Sequence, residues 1–228
     1  MTASQEHENA VDSAVGSLAQ MLKETQAKPI PVHIVGLCGS MRGPRSFTRR
    51  TMQIALNAAR EAGATVDLID LSTLDLPFCS GPADRDDHPA TMALRQRVSA
   101  GQGILLGSPE YHNSYSGVLK NALDLLGSDE CRGRIFGLLG VAGGSAGAIN
   151  TLGHLRVIVR GVGGWSLPVQ ISIPQVSKVF DGDKLMDQEI EQRLHTFGRE
   201  MVRFSRLHSL VPHLEQILLS DVIDENVG

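Results

Sequence analysis

The sequence predicts an α/β protein built on a doubly wound parallel sheet of five strands. Five short apolar runs are typical of buried strands, and a helical pattern follows each of them. Strands that alternate with helices in this way pair in parallel, because each connection has to cross over the sheet. The helices then cover both faces of the sheet.

The predicted strands are short and apolar, and they cover residues 32–36, 66–71, 104–107, 135–141 and 169–173. The helical patterns between them cover residues 47–62, 91–100, 118–126 and 148–160. Gly63 and Gly127 directly follow two of these helices, where glycine is typical of a helix end. A long amphipathic helix is predicted for residues 187–207, and a short apolar segment follows at residues 214–222.

Residues 1–28 form an extension ahead of the predicted domain, which covers residues 29–228. Val11, Val15, Leu18 and Leu22 recur at helical spacing in this extension. It is therefore either a short amphipathic helix or a frayed tail.

Composition excludes several classes of protein. The 228 residues are 42% hydrophobic and 20% charged, which is typical of a globular domain, and the net charge of −4 argues against a nucleic acid partner. The three cysteines form no CxxC pair, which favours a reducing compartment over a disulfide framework. No apolar stretch reaches the length of a membrane helix, no signal pattern opens the chain, and no ligand spacing predicts a metal site. We therefore expect a cytoplasmic protein without a membrane span.

The segment between the first predicted strand and helix combines glycines, hydroxyls and arginines. Ser40, Ser46 and Thr48 offer hydroxyl donors, and Arg42 and Arg45 add positive charge, with Arg45 the weaker candidate. The N–H groups at the start of a helix favour an anion as well. We predict a phosphate site, although Ser46 could also act as a simple N-cap. Neither a P-loop nor a dinucleotide glycine motif follows this strand, so a mononucleotide is favoured.

The segment after the third predicted strand contains both tyrosines of the chain, Tyr111 and Tyr115. A polar loop at the carboxyl end of a buried strand is where open α/β sheets bind ligands. The tyrosines could stack on an aromatic ring, and Ser116 is placed to cap the next helix. Glu110 either contacts the ligand or holds the loop as a structural acceptor. Together with the first loop and a glycine-rich loop after the fourth predicted strand, this segment predicts a flavin nucleotide site.

The segment after the fourth predicted strand reads Gly-Gly-Ser-Ala-Gly at residues 143–147. Its glycines would let the backbone approach a flat ligand closely. The same residues match the nucleophile elbow of serine hydrolases, with Ser145 as the nucleophile. A hydrolase is therefore an alternative hypothesis, although it leaves the first two loops without a role.

Two motifs resemble those of the NADPH-dependent FMN reductase family. The first is Gly-Ser-Met-Arg at residues 39–42, with Ser46 behind it. The second is Ser-Pro-Glu-Tyr at residues 108–111, followed by Ser-Gly-Val-Leu-Lys-Asn-Ala-Leu-Asp at residues 116–124. The resemblance covers about residues 30–175 and implies a flavodoxin-like fold, non-covalent FMN, NADPH or NADH as the electron donor, and a homodimer or homotetramer. It also implies a small-molecule acceptor such as a flavin, quinone, azo dye, nitro compound or metal oxyanion.

The resemblance implies a role for each matching position. Ser40, Arg42 and Ser46 would hold the phosphate, with Thr48 where the family usually has asparagine. The residues that would line the flavin ring are Pro109, Glu110, Tyr111, His112, Asn113 and Ser114, with His112 in place of a usual asparagine. The residues that would approach its other edge are Gly143, Gly144 and Ser145.

The expected chemistry resides in the cofactor, so no catalytic side chain is predicted. Nicotinamide would stack on the flavin and deliver hydride to N5, and the acceptor would then enter the same space, which gives ping-pong turnover. A non-enzymatic electron carrier of the flavodoxin type is a further alternative, although such carriers are shorter and more acidic.

Overall fold

The computed structural model describes residues 3–27, 30–81 and 88–223. The chain divides into two compact units: Val32–Ser205 form one, and Met1–Pro31 with Arg206–Gly228 form the other. Within the described residues, no helix is both long and apolar enough to cross a membrane.

Every pairing in the main sheet of the larger unit is parallel. Its strands are β1 (His33–Cys38), β2 (Thr65–Asp70), β3 (Gly103–Pro109), β4 (Ile135–Val141), β5 (Trp165–Ser166) and β6 (Ile171–Ile173). They follow the order β2-β1-β3-β4-β5, and β6 also pairs with β4. This is the doubly wound order of flavodoxin-like folds, as the sequence predicted.

The fifth position of the sheet is shared by two short strands. The prediction of one strand over residues 169–173 was wrong in its extent: β5 pairs with the start of β4 at Ile135 and Phe136, and β6 pairs with its end. Pro168 lies between the two strands and has no N–H to donate to a ladder, so it interrupts the pairing. β5 was not predicted because two residues are too few for a periodic pattern.

Helices cover both faces of the sheet. In chain order they are α1 (Ala3–Ala27), α2 (Phe47–Glu61), α3 (Pro89–Ser99), α4 (Gly117–Asp124), α5 (Ser128–Cys131), α6 (Ile149–Gly161), α7 (Val176–Val179) and α8 (Gln188–Ile223). Met52 of α2 and Phe197 of α8 are buried in the core on one face. Leu94 of α3, Leu119 of α4 and Leu155 of α6 are buried on the other face.

One glycine sets how closely α2 approaches the sheet. A Cβ added at Gly107 of β3 would overlap the Met52 side chain, whose Cγ would be only 2.7 Å away. The absence of a side chain therefore lets α2 lie directly on β1 and β3. The first turn of α2 is thereby brought to the carboxyl edge of these two strands.

The chain after residue 173 differs from its prediction. A small hairpin, β7 (Phe180–Asp181) and β8 (Lys184–Leu185), precedes α8 and was not expected. The predicted helix over residues 187–207 and the separate segment at 214–222 are one continuous helix, which contains Pro212. A proline costs a helix one hydrogen bond but does not always end it.

The smaller unit is helical in its described part. It holds α1, which is the helical one of the two alternatives for the extension, and the part of α8 from Arg206 onward. Arg206 Nε donates a 3.2 Å hydrogen bond to the Ile30 carbonyl oxygen within this unit. Val11, Val15 and Leu18 are exposed along α1.

Candidate functional site

The candidate site is a cleft at the carboxyl ends of β1, β3 and β4. We call its three loops the first loop (residues 39–46, after β1), the second loop (110–116, after β3) and the third loop (142–148, after β4). β1 and β3 are neighbours in the sheet although they are not consecutive in the chain, so the strand order reverses between them. Ligands of open α/β sheets bind at such a switch point.

The first loop and the first turn of α2 contain several hydrogen-bond donors that suit an anion. Ser46 is the N-cap of α2, and its Oγ accepts a 3.1 Å hydrogen bond from the Arg49 N–H. Phe47 and Thr48 precede Arg49 in the first turn of α2, and their N–H groups have no acceptor within the helix. Ser40 contributes a further hydroxyl, and it is almost fully buried at the base of the loop. The donor set suits the oxygens of a phosphate.

Charge around the first loop is only partly neutralised. Arg49 forms an ion pair with Asp70 at 3.1 Å, and Arg50 forms one with Asp183 at 2.7 Å. Within the described residues, no carboxylate forms an ion pair with Arg42, which lines the cleft. The Arg42 guanidinium therefore keeps its positive charge on the first-loop side of the cleft.

A buried thiol lies beneath the first loop. Cys38, the last residue of β1, is fully buried, and its burial raises the pKa of the thiol to about 11. A hydrogen bond from the Ser40 N–H and one with Ser46 oppose this shift without cancelling it. The thiol stays neutral at physiological pH and adds no negative charge below the arginines.

The second loop contains a tight hairpin turn. The N–H of Tyr111 donates to the Ser114 carbonyl oxygen at 2.8 Å, and the N–H of Ser114 donates back to the Tyr111 carbonyl oxygen at 3.0 Å. The two residues between them, His112 and Asn113, have φ angles of 49° and 63°. A two-residue hairpin with both residues left-handed is the type I′ turn, and asparagine and histidine adopt this region more readily than most residues.

Glu110 fastens the second loop to α6. Its Oε2 accepts a 3.0 Å hydrogen bond from the Thr151 N–H in the first turn of α6. Ala148, the N-cap of α6, has no side chain that could do this. Because a carboxylate is favoured at a helix N-terminus, Glu110 acts as the missing cap. The structure thus supports the interpretation of Glu110 as a structural acceptor, and the same residue lines the cleft.

The first half of the third loop borders open space. A Cβ added at Gly143 or Gly144 would meet no atom within 4 Å. The far end of the loop is tightly packed, because Gly147 has a φ angle of 71° and a Cβ there would contact the Ser172 side chain. The loop is therefore held firmly while its first half leaves room for a ligand.

Ser145 lacks the backbone geometry of a nucleophile elbow. The elbow places its serine on a strained turn between a strand and a helix. Within the described residues, the positive φ angles outside glycine are those of His112, Asn113 and Gln175. Ser145 is an exposed loop residue without that strain, so the geometry does not favour a hydrolase.

The cleft has a volume of about 330 Å³ and gathers residues from all three loops. The predicted residues that line it are Ser40, Arg42, Ser46, Thr48, Pro109, Glu110, Tyr111 and Gly143. The predicted residues outside its lining are His112, Asn113, Ser114, Gly144 and Ser145, which lie in the turn and on the third loop.

Four lining residues were not predicted: Phe47, Val141, Val176 and Ser177. Val176 and Ser177 start α7, just after β6, and the Val176 N–H donates to the Ala142 carbonyl oxygen at 3.0 Å. The rule that places ligands at the carboxyl ends of strands could have found them, had it been applied after the fifth strand as well.

The cleft fits a flavin mononucleotide. Hydroxyls, helix N–H groups and an arginine at one end suit a phosphate monoester. Gly143 lines the cleft, and a Cβ added there would meet no atom within 4 Å, so this side of the cleft has room for a flat group. A doubly wound sheet with such a cleft at its switch point defines a flavodoxin-like nucleotide-binding protein.

The chain belongs to the NADPH-dependent FMN reductase family, whose model matches residues 32–178. It is 36% identical over 160 residues to the NADPH azoreductase of Bacillus sp. (strain OY1-2), a match that covers 70% of this chain and 84% of the relative. It is 40% identical over 142 residues to the FMN-dependent NADPH-azoreductase of Staphylococcus aureus (strain USA300), which covers 60% of this chain and 75% of the relative.

Solved structures with the same fold include FerB, a flavoenzyme NAD(P)H:(acceptor) oxidoreductase from Paracoccus denitrificans. It superposes with a TM-score of 0.65 at 21% identity, over 78% of this chain and 98% of that one. A flavodoxin from the domain Archaea superposes with a TM-score of 0.55 at 13% identity, over 78% of this chain and 99% of that one. At these identities the likeness shows the fold only.

Family membership confirms the predicted class of activity. The protein is an FMN-dependent NAD(P)H oxidoreductase, with NADPH as a donor. The two alternative hypotheses, a serine hydrolase and a non-enzymatic electron carrier, are not favoured.

Proposed function

We propose that this protein reduces azo compounds and related two-electron acceptors, such as quinones and free flavins, with FMN held in the cleft described above. The curated relatives named as NADPH azoreductases support this acceptor class. The observation that carries the assignment of the site is the convergence of the three loops on one cleft. Hydrogen-bond donors that suit a phosphate lie at one end of this cleft, and Gly143 borders open space at the other.

The residues of the first loop would bind the phosphate. The Thr48 hydroxyl and the N–H groups of Phe47 and Thr48 would donate to its oxygens, and the Arg42 guanidinium would balance its charge. Ser40 and Ser46 would contribute their hydroxyls as well, and both are almost fully buried, as Thr48 is. The Ser46 Oγ already accepts a hydrogen bond from the Arg49 N–H. Its hydroxyl hydrogen would be the group that donates to the phosphate.

The second and third loops would hold the ring. The hairpin turn would present Tyr111 and the N–H groups of His112 and Asn113 to one edge, while Gly143 and Gly144 would lie against the other. Val141 and Val176 would exclude water from the buried side of the ring. Bound FMN would supply the chemistry of hydride and electron transfer, and the residues of the chain would supply position and electrostatics.

Direct tests of this proposal use the purified protein. FMN is titrated into flavin-free protein, and the complex is then mixed rapidly with NADPH or NADH while the flavin absorbance is followed. We expect tight binding, bleaching by NADPH and reoxidation by an azo dye, with parallel double-reciprocal lines that indicate ping-pong turnover. Protein that binds FMN but is not bleached by either nicotinamide would be an electron carrier. Esterase activity that is lost in Ser145→Ala would support the hydrolase.

The proposal extends to assembly and location. We expect a homodimer or homotetramer, as in the family, and a cytoplasmic protein that binds no nucleic acid. The three free cysteines support a reducing compartment, and burial raises the pKa of Cys131 to about 12, which keeps its thiol unreactive. Sedimentation and cell fractionation test these two points.

A further inference from the structure

We infer that His154 is a positioning residue that holds the hairpin turn of the second loop in the geometry needed to bind the flavin ring. This inference rests on the proposed placement of the ring against that turn. His154 lies on α6, outside the lining of the cleft, so it acts through the turn rather than on the ligand.

Two contacts join His154 to the second loop. Its Nδ1 lies 2.9 Å from the Ser114 Oγ, within hydrogen-bonding distance. Its ring meets the Tyr115 ring edge-on, with the centroids 6.2 Å apart and an interplanar angle of 85°. Edge-to-face packing of this kind is favourable for aromatic rings. A single side chain thus contacts the two residues that close the turn.

α6 holds the turn at both ends. Thr151 and His154 are three residues apart and therefore lie on the same side of the helix. The Thr151 N–H binds Glu110, which precedes the turn, and His154 binds Ser114, which closes it. A rigid helix thereby fixes the positions of both ends of the turn relative to the third loop.

The turn needs this external support. His112 and Asn113 are exposed and left-handed, which is costly for residues other than glycine. A short hairpin is marginally stable by itself in water. Besides the reciprocal Tyr111–Ser114 hydrogen bonds, the turn and the residues beside it are held by the contacts of Thr151 and His154 on α6. Removal of the histidine should therefore loosen the turn more than it loosens the fold.

Three variants test the inference. His154→Ala removes both contacts. His154→Asn keeps a polar atom bonded to Cγ, as Nδ1 is in histidine, which can form a hydrogen bond with the Ser114 hydroxyl. Arg156→Ala is the matched control, because it truncates an exposed side chain on the same helix. The FMN dissociation constant is measured by quenching of flavin fluorescence, and the visible circular dichroism of the bound flavin reports its environment. Urea unfolding of flavin-free protein reports stability.

We expect His154→Ala to raise the FMN dissociation constant about tenfold and to change the visible dichroism, while the urea midpoint of the flavin-free protein moves little. His154→Asn should recover most of the affinity, and Arg156→Ala should match the parent. Ser114→Ala, which removes the same hydrogen bond from the side of the loop, should weaken binding in the same direction. Combined with His154→Ala, it should add less than the sum of the two single effects.

Certain results would overturn the inference. Parental affinity and dichroism in His154→Ala would show that the turn needs no support from α6. Equal losses in His154→Ala and Arg156→Ala would assign the effect to α6 as a whole. If the parent itself binds no FMN, the proposed function fails instead, so the two failures are distinguishable.

Discussion

The Ser116 hydroxyl donates a 2.6 Å hydrogen bond to the carbonyl oxygen of Gly39. This contact joins the second loop to the first across the β1–β3 switch point, although the residues are 77 positions apart. The same Oγ caps α4 by accepting from the Leu119 N–H at 3.3 Å. The Ser116 N–H in turn donates to the Ser108 Oγ at 2.9 Å. One buried serine therefore sets the spacing between the proposed phosphate and ring sides of the cleft.

Ser116→Ala should lower the free energy of unfolding by about 1–2 kcal/mol, because it removes a helix cap and leaves the Gly39 carbonyl oxygen without this donor. FMN affinity should fall as well, since the two loops lose their link. Urea unfolding of the flavin-free protein and a flavin titration measure the two effects. Ser99→Ala, at the exposed end of α3, is the control. An unchanged unfolding midpoint in Ser116→Ala would contradict the prediction.

Arg42→Ala should raise the FMN dissociation constant by about ten- to a hundredfold, because a charge-assisted hydrogen bond contributes about 1.5–3 kcal/mol. The rate of flavin reduction by NADPH in FMN-saturated protein should change far less, since the arginine is expected to bind the phosphate rather than the reacting ring. Titration calorimetry and stopped-flow absorbance measure the two quantities.

Arg45→Ala is the matched control for this variant. It removes the same charge from the same loop, but Arg45 is exposed and does not line the cleft. We expect parental FMN affinity at moderate salt. Equal losses in both variants would indicate that general positive charge, rather than a specific contact by Arg42, retains the nucleotide.

Gly107→Ala should destabilise the protein by about 1–3 kcal/mol, because the new methyl group would collide with Met52 in the core between β3 and α2. Gly153→Ala is its counterpart on α6. A Cβ there meets no atom within 4 Å, so the variant should gain about 0.5–1 kcal/mol from helix propensity. Thermal or urea unfolding compares the two glycine-to-alanine changes directly. A change in the free energy of unfolding that has the same sign in both variants would contradict the packing argument.

Glu130 should make stability depend on pH. Its side chain is buried, and burial would raise the pKa of its carboxyl group, but hydrogen bonds from Arg95 at 2.7 Å and from the Gly127 N–H at 2.6 Å outweigh burial. The folded-state pKa therefore lies below the ordinary value of 4.5. A carboxyl group whose pKa is lowered by folding stabilises the folded state at pH values above its unfolded-state pKa. This stabilisation is lost as the pH falls through the folded-state pKa.

Glu130→Gln should therefore lower the free energy of unfolding by about 1–3 kcal/mol at neutral pH. The difference from the parent should shrink as the pH falls below 4.5. Urea unfolding at a series of pH values measures it. Glu200→Gln, which breaks an exposed pair with Arg203, should have little effect because surface ion pairs contribute about 0–1 kcal/mol. A difference for Glu130→Gln that does not vary with pH would contradict the assignment.

Much of the fold could be predicted because burial leaves a local trace. Strands buried on both faces must be apolar along their whole length, and β4 was predicted with the bounds it has. The fifth strand position could not be predicted correctly, because β5 is two residues long and gains its hydrogen bonds from β4 rather than from its own sequence. The continuity of α8 through Pro212 was not predicted either, because proline usually marks a helix end.

Part of the candidate site could be predicted for the same reason. Ser40, Arg42 and Pro109 stand beside strand ends that are visible in the sequence, and all three line the cleft. The contacts of Ser116 with Gly39 and of His154 with Ser114 join residues distant in the chain, and no local spacing indicates them.

The sequence by itself determined the class of fold, the edge of the sheet that holds the candidate site and the family to which the chain belongs. These properties follow from periodicity, glycine placement and short motifs, which act over a few neighbouring residues. Only the tertiary structure decided which side chains line the cleft, that Glu110 caps α6, and that Arg49 and Arg50 are neutralised while Arg42 is left to face the cleft. Packing brings these partners together from distant parts of the chain, and hydrogen bonds and ion pairs act only at the short distances that packing creates.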